Sequence, residues 1–250
     1  ATYASLPDTP ANVAVEQTLA MNGYVGETAS TRLSRLCALD SLALSFRGDV
    51  NDTELVGTQR PAPMLDLLQD AADADGGILY ESRTYLGFVY HTHKSLFNQS
   101  PIMTLDYSAG GEVAPPLFPV EDNDVTANDV TVTRFNGSRS RVVKETGTLN
   151  VNDPIDDPDG VGRYAKNFQL VLSADSQTLP QAAWRRHLGT WDEARYPVVN
   201  VDLTAMTVAG KTALIATAAS MEVGDRLVIA NPPAWLPPED IEQHAQGFVE

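Results

Sequence analysis

Six sets of residues carry the chemical possibilities of this 250-residue chain. His91-Thr92-His93 is the most ligand-like, because residues two apart on a strand point to one face and both imidazoles could then hold one metal. A catalytic zinc takes three protein ligands, however, and His187 and His244 stand in unrelated contexts without HExxH or carboxylate spacing. The run Asp153-Pro154-Ile155-Asp156-Asp157-Pro158-Asp159-Gly160 offers hard oxygens to calcium. An EF-hand loop with its glycine at Gly160 would need an acid five residues earlier, where Ile155 stands, so a solvated acidic loop is expected. Tyr80, Tyr85, Phe88 and Tyr90 could form an aromatic platform for sugars, although aromatics at strand spacing more often pack in a core; Trp184, Trp191 and Trp235 read the same way. Cys37 lies on the apolar side of a predicted helix, and no GxSxG occurs. Neither Gly110-Gly111 nor Gly160-Val161-Gly162 follows a strand and opens a helix as a phosphate loop must. With 33 acids, no carboxylate pair of a glycosidase can be singled out. No catalytic, cofactor-binding or metal residue is therefore assigned, and neither an enzyme nor a cofactor is expected.

Those 33 acids stand against 17 lysines and arginines, a formal charge of −16. Before Val125 there are 17 acids and 6 bases, and from there on 16 and 11, so the halves carry −11 and −5. Neither half has the basic balance that attracts phosphate backbones, which argues against a specific nucleic-acid partner. A hydrophobic content of 43 % excludes a disordered chain, and the length suits two packed units. One cysteine cannot close an intrachain disulfide. No apolar run approaches the roughly 18 residues of a membrane span, and ATYASLPDTP has neither a basic n-region nor an apolar h-region, so membrane insertion and export are not expected. The first residue is not Met and QGFVE ends within an expected strand, which reads as a segment of a longer protein.

The elements alternate between helical and strand periods. Leu33, Leu36, Cys37, Leu39, Leu42 and Ala43 recur at three- and four-residue steps, and Thr28, Ser30 or Thr31 supplies a capping oxygen, which predicts a helix. Residues 45–56 predict a strand, or two extended pieces around a turn. Pro61 and Pro63 open a second helix with Met64, Leu65, Leu68, Ala71 and Ala72 as its stripe, and Gly76-Gly77 closes it. Residues 78–81 and 86–91 predict one hairpin, and 128–135 with 138–144 around Asn136-Gly137 a second. Residues 147–163 are rich in Asp, Pro and Gly and read as an exposed loop and boundary. A strand at 168–172, a helix patterned by Leu179, Ala182, Ala183 and Leu188, and a strand at 196–203 follow. After Met206 only β texture is expected: 211–218 and 226–230 around the turn Glu222-Val223-Gly224-Asp225, then a last strand at 244–250. The expected partition is a lead-in at 1–27, a β-rich unit with two inserted helices at 28–146, an acidic Pro/Gly loop at 147–164, and a second β-rich unit with one helix at 165–250, truncated at its C-terminus.

Three stretches stand in order: Leu68-Gln69-Asp70-Ala71-Ala72-Asp73-Ala74-Asp75-Gly76-Gly77-Ile78-Leu79-Tyr80, Asn128-Asp129-Val130-Thr131-Val132-Thr133-Arg134, and Arg195-Tyr196-Pro197 running into Val201-Asp202-Leu203. Taken together they resemble minor tail proteins of long-tailed bacteriophages of actinobacteria. The closing run is similar too, through Val223-Gly224-Asp225-Arg226, Asn231-Pro232-Pro233, Leu236-Pro237-Pro238 and Gln246-Gly247-Phe248. The resemblance spans about residues 28–250 and lies in order and spacing rather than in any one word. The chain departs from the family at Arg83-Thr84-Tyr85, at His91-Thr92-His93-Lys94 and in the longer acidic loop at 153–160.

The resemblance implies a structural virion component at the tail tip or hub, joining the tail tube to distal receptor-binding parts. It implies α+β units, β-rich and barrel-like or sandwich-like with inserted helices, other phage tail proteins as partners, and a trimeric homo-oligomer. It also implies synthesis in the bacterial cytoplasm and delivery on the virion. Acidic charge would suit a lumen through which DNA passes without sticking; tight duplex binding at moderate salt would refute that. Two competing readings are a carbohydrate-binding tail module using Tyr80, Tyr85, Tyr90 and His93 on host-wall glycan, and a tail-associated wall hydrolase with an unlocated carboxylate pair.

Overall fold

The computed structural model describes residues 23–97, 99–109, 112–120, 123–192 and 194–248. Most of the expected lead-in at 1–27, and residues 249–250 of the expected last strand, lie outside the described residues. In chain order the elements begin with α1 (Ala29–Leu39), β1 (Ala43–Arg47), α2 (Met64–Asp75), β2 (Ile78–Glu81) and β3 (Gly87–His91). Next come β4 (Met103–Asp106), β5 (Val113–Ala114), β6 (Asp129–Arg134), β7 (Arg139–Val143) and β8 (Ala165–Leu170). The chain continues with α3 (Thr178–Gly189), β9 (Asn200–Val201), α4 (Leu203–Val208), α5 (Thr212–Ser220), β10 (Arg226–Ala230) and β11 (Ile241–His244). This is an α+β fold of small open sheets, and no closed barrel occurs among the described residues.

The elements fall into two units that interleave along the chain, one drawn from Ala1–Lys94 and Asn123–Asp192, the other from Ser95–Asp122 and Glu193–Glu250. The acidic loop and α3 therefore belong with the first half of the sequence, where a linear reading places a boundary and a new unit. Pairing explains why: β6 runs parallel to β8 across the loop, from Asp129↔Ala165 to Arg134↔Leu170, so the segment cannot be divided there.

In the first unit, Thr28 caps α1 by accepting the Thr31 N–H at 3.2 Å. The helix stops at Leu39, earlier than its apolar pattern suggests. Ser41 turns the backbone to φ +55°, and Leu44 and Phe46 pair in β1 with Phe88 and Tyr90 of the parallel β3. Sheet pairing thus takes residues that helical spacing had claimed. The expected strand at 45–56 ends at Arg47; a 3-10 turn at Val50–Asp52, capped by Asp49, intervenes before Leu55 and Val56 form isolated bridges. Gly76 ends α2 at φ +88°, returning its N–H to the Ala72 carbonyl. Both expected hairpins form: β2 pairs antiparallel with β3, and β6 with β7 around Asn136 at φ +56°. Leu33, Leu36, Leu68, Ala72, Tyr90, Val130, Val132 and Leu172 meet in one core. Helix α3 lies across β6 and β7, yet it turns Thr178, Gln181, Ala182 and Gly189 inward and leaves Leu179 and Leu188 exposed, against the expected stripe.

The second unit pairs β10 antiparallel with β11 and parallel with β4, and β5 antiparallel with β9. Its core joins Met103, Leu105, Leu117, Met206, Met221 and Ile229. Two expectations fail here. Residues 196–203 supply only the two-residue β9 before Asp202 caps α4, accepting the Ala205 N–H at 2.8 Å. The expected strand at 211–218 is helix α5: its alanines favour helix, and Leu214, Ile215 and Ala218 reach the core from one side. The unit therefore has two helices of its own, and the single helix assigned to it from sequence is α3 of the other unit. The turn at 222–225 forms as expected, with the Asp225 carboxylate accepting the Glu222 N–H at 2.7 Å.

Candidate interaction surface

The ligand-like residues of the sequence do not converge. His91 is buried at the end of β3, whereas His93 begins a 3-10 turn and packs its ring edge-on to Trp184 at 5.4 Å. Burial holds the His93 imidazole below its ordinary pKa. Trp184 in turn lies 5.6 Å from His187, and His187 5.6 Å from Trp191, an aromatic row along α3. Among the described residues no three His, Cys, Asp or Glu side chains are placed to hold a metal. Cys37 is buried, and burial pushes its thiol pKa up, which leaves a packing role. Of the aromatic platform, Tyr90 is fully buried and Phe88 packs against the core, while Tyr85 hydrogen-bonds Ser45 and the Phe88 carbonyl.

Buried polar side chains instead form joints between segments. Asp75, 1 % exposed, accepts the Tyr90 hydroxyl at 2.6 Å, the Glu54 N–H at 2.8 Å and the His93 N–H at 3.2 Å, tying α2 to three other segments. Burial, with the Asp75 carboxylate beside it, drives the Tyr90 phenol pKa far upward. Gly77 follows because a Cβ there would come within 2.4 Å of the Tyr90 hydroxyl. Asn128 is wholly buried, donates to the carbonyls of Leu149, Asn150 and Gly162, and accepts the Tyr164 N–H. Arg32, also buried, donates to Glu27 and to the Tyr24 and Gly57 carbonyls. Arg35 adds two hydrogen bonds to Glu27. Sequence reading missed these joints because a buried Arg, Asp or Asn looks like a surface residue in composition; only the conjunction of Asp75 with Gly76-Gly77 at a helix end hinted at one.

The opposite face of the β7-β6-β8 sheet is open and polar. Asp129, Thr131, Arg139, Arg141, Ala165 and Asn167 line a depression of about 460 Å³. Alternation puts them there: Val130 and Val132 of the same strand face the core. Arg141 grips Asp129 with two hydrogen bonds of 2.7 and 2.6 Å, and Arg163 adds a third at 2.8 Å. Arg141, through these bonds, holds the Asp129 carboxyl below its usual pKa. Arg139 is exposed on this face and holds no ion pair among the described residues.

The acidic loop leaves the same sheet, joining β7 to β8 at the end where Asp129 pairs with Val143 and Ala165. It is built rather than loose. Asp153 accepts the Ile155 N–H through its side chain at 2.9 Å and the Asp156 and Asp157 N–H groups through its carbonyl. The Asp157 carboxylate is spent inside the loop on Asn150, Asn152 and the Asp159 N–H, which holds its pKa down. Ile155, at the tip, is 91 % exposed.

No protein-family model matches the chain, and no curated protein matches it. Two solved structures are similar over 82 % of it, each at 12 % identity. One is the 43 kDa tail protein of prophage MuSo2 from Shewanella oneidensis (TM-score 0.42), the other the tail protein from Neisseria meningitidis MC58 (TM-score 0.48). The chain spans 54 % and 56 % of their respective lengths.

Proposed function

We propose that this chain is a structural component of a bacteriophage tail: a minor tail protein of the tip or hub that links the tube to distal receptor-binding parts. It binds other tail proteins and copies of itself, in a trimer, and turns over no substrate. It is made in the bacterial cytoplasm and carried on the virion. The observation that carries the reading is the ordered set of tail-protein words, several of whose residues serve as joints between segments: Asp75 under α2, Asn128 under the acidic loop, Asp202 at the cap of α4 and Asp225 in the turn before β10. A protein whose distinguishing residues hold a scaffold is suited to assembly rather than turnover.

Immunogold labelling of particles of the encoding phage tests this. Label at one end of the tail is expected; particles whose tails carry none of the chain would overturn the reading. Lysis of purified host wall by the chain alone would overturn the non-enzymatic part.

A further inference from the structure

We propose that the open face of the β7-β6-β8 sheet receives the acidic loop tip, Ile155 with Asp153 and Asp156, of a second copy of this chain. The inference rests on the tail reading, of which it names one contact between copies.

Both halves of the contact lie at the surface of the single chain. The tip presents one large apolar side chain, 91 % exposed between Pro154 and Pro158, on a backbone already fixed by Asp153. Little ordering is left to be done on binding, which favours a rigid tip over a loose tail as an anchor. An isoleucine held out in water gains by any apolar cover. The depression of about 460 Å³ supplies that cover in the methyl groups of Thr131 and Ala165, which line it together with Arg139 and Arg141.

The charges are complementary where the surfaces meet. Asp153 and Asp156 flank the tip, and Asp157 is consumed within the loop, while Arg139 stands exposed in the lining of the depression. A chain of formal charge −16 repels its own copies, so a contact between them must place its few cations opposite acids. Screening weakens that long-range repulsion and the local attraction together. Salt dependence is therefore a poor test, and charge exchange a good one. Because tip and depression are different surfaces, one of each per contact generates a ring where the rotation closes and an open filament where it does not, whereas two reciprocal contacts generate a two-fold pair.

The experiment is light scattering of the full chain over a wide concentration range, with Ile155→Asp, Arg139→Glu, Asp156→Arg and the double variant Arg139→Glu/Asp156→Arg. All three positions are exposed, and circular dichroism with a thermal melt verifies that each variant folds. Wild type should associate, each single variant should weaken association about tenfold or more, and the double variant should recover it. A monomeric wild type, single variants that associate like wild type, or a double variant that stays dissociated would each overturn the contact. A chain that is monomeric yet labels phage tails removes this contact and leaves the tail reading standing. A chain that associates through it but is absent from tails does the reverse.

Discussion

In the first unit, Arg32, Asp75 and Asn128 are almost fully buried and each satisfies several groups on other segments. In the second, Met103, Met206 and Met221 share a core with Leu105, Leu117 and Ile229. A buried polar joint fixes one arrangement, because any other leaves its donors or acceptors bare. A core of methionine and aliphatic side chains accepts several packings of similar energy. The first interior rests on three polar joints between distant segments, the second mainly on its methionines and aliphatics with Asp225 and the Glu112–Lys211 pair beside them, and the two should respond differently to the same scale of chemical change.

The largest effect is expected at Glu27. Its removal in Glu27→Ala leaves the buried Arg32 guanidinium without its counter-charge, a loss of about 3–5 kcal/mol by chemical denaturation. A loss below about 1 kcal/mol would mean that water replaces the carboxylate and that the first unit is less dependent on polar joints than its geometry implies. Asn128→Ala should cost about 2–3 kcal/mol, because three carbonyls and one N–H lose a shared partner. Met206→Leu, similar in volume and fully buried in the second unit, should cost under about 1.5 kcal/mol; a cost equal to that of Asn128→Ala would erase the contrast.

The smallest effect is a slope. Arg141 holds the Asp129 carboxyl below its ordinary pKa, so the stabilisation from this pair is present above roughly pH 4 and is lost as pH falls toward the lower folded value. Asp129→Asn should therefore lose stability less steeply than wild type below that pH, as read from urea midpoints. Identical slopes would place the acid sensitivity of the first unit elsewhere.

Local rules made the helices α1 and α2, both hairpins, the Gly76 stop and the turn at 222–225 legible. Each is decided by residues a few positions apart: a capping threonine, a glycine pair, Asn136-Gly137. What failed needed distant partners. Leu42 and Ala43 continue a helical spacing, and only the approach of β3 draws Ala43 and Leu44 into β1. The segment 211–218 alternates enough to suggest a strand, but its alanines and the core contacts of Leu214 and Ile215 make it helical. The acidic loop was legible as a loop and not as an ordered one, because part of its order comes from Asn128, 27 residues before Ile155 at its tip. The open sheet face was hidden for a similar reason: Arg139, Arg141 and Asn167 come from different strands.

The interleaving of the units sets a timetable for synthesis. Met103 and Leu105 of β4 leave the ribosome early, but their partners Leu227 and Ile229 lie about 120 residues later in the chain. At about 5–20 residues per second, the apolar edge of β4 waits roughly 6–25 s for β10. The first unit faces no such delay after Asp192, since all its described strands have by then been made. A nascent chain paused at that point holds the first unit's strands complete and two orphaned strands, β4 and β5. Whatever chaperone or neighbouring nascent chain meets it there will meet Met103 and Leu105.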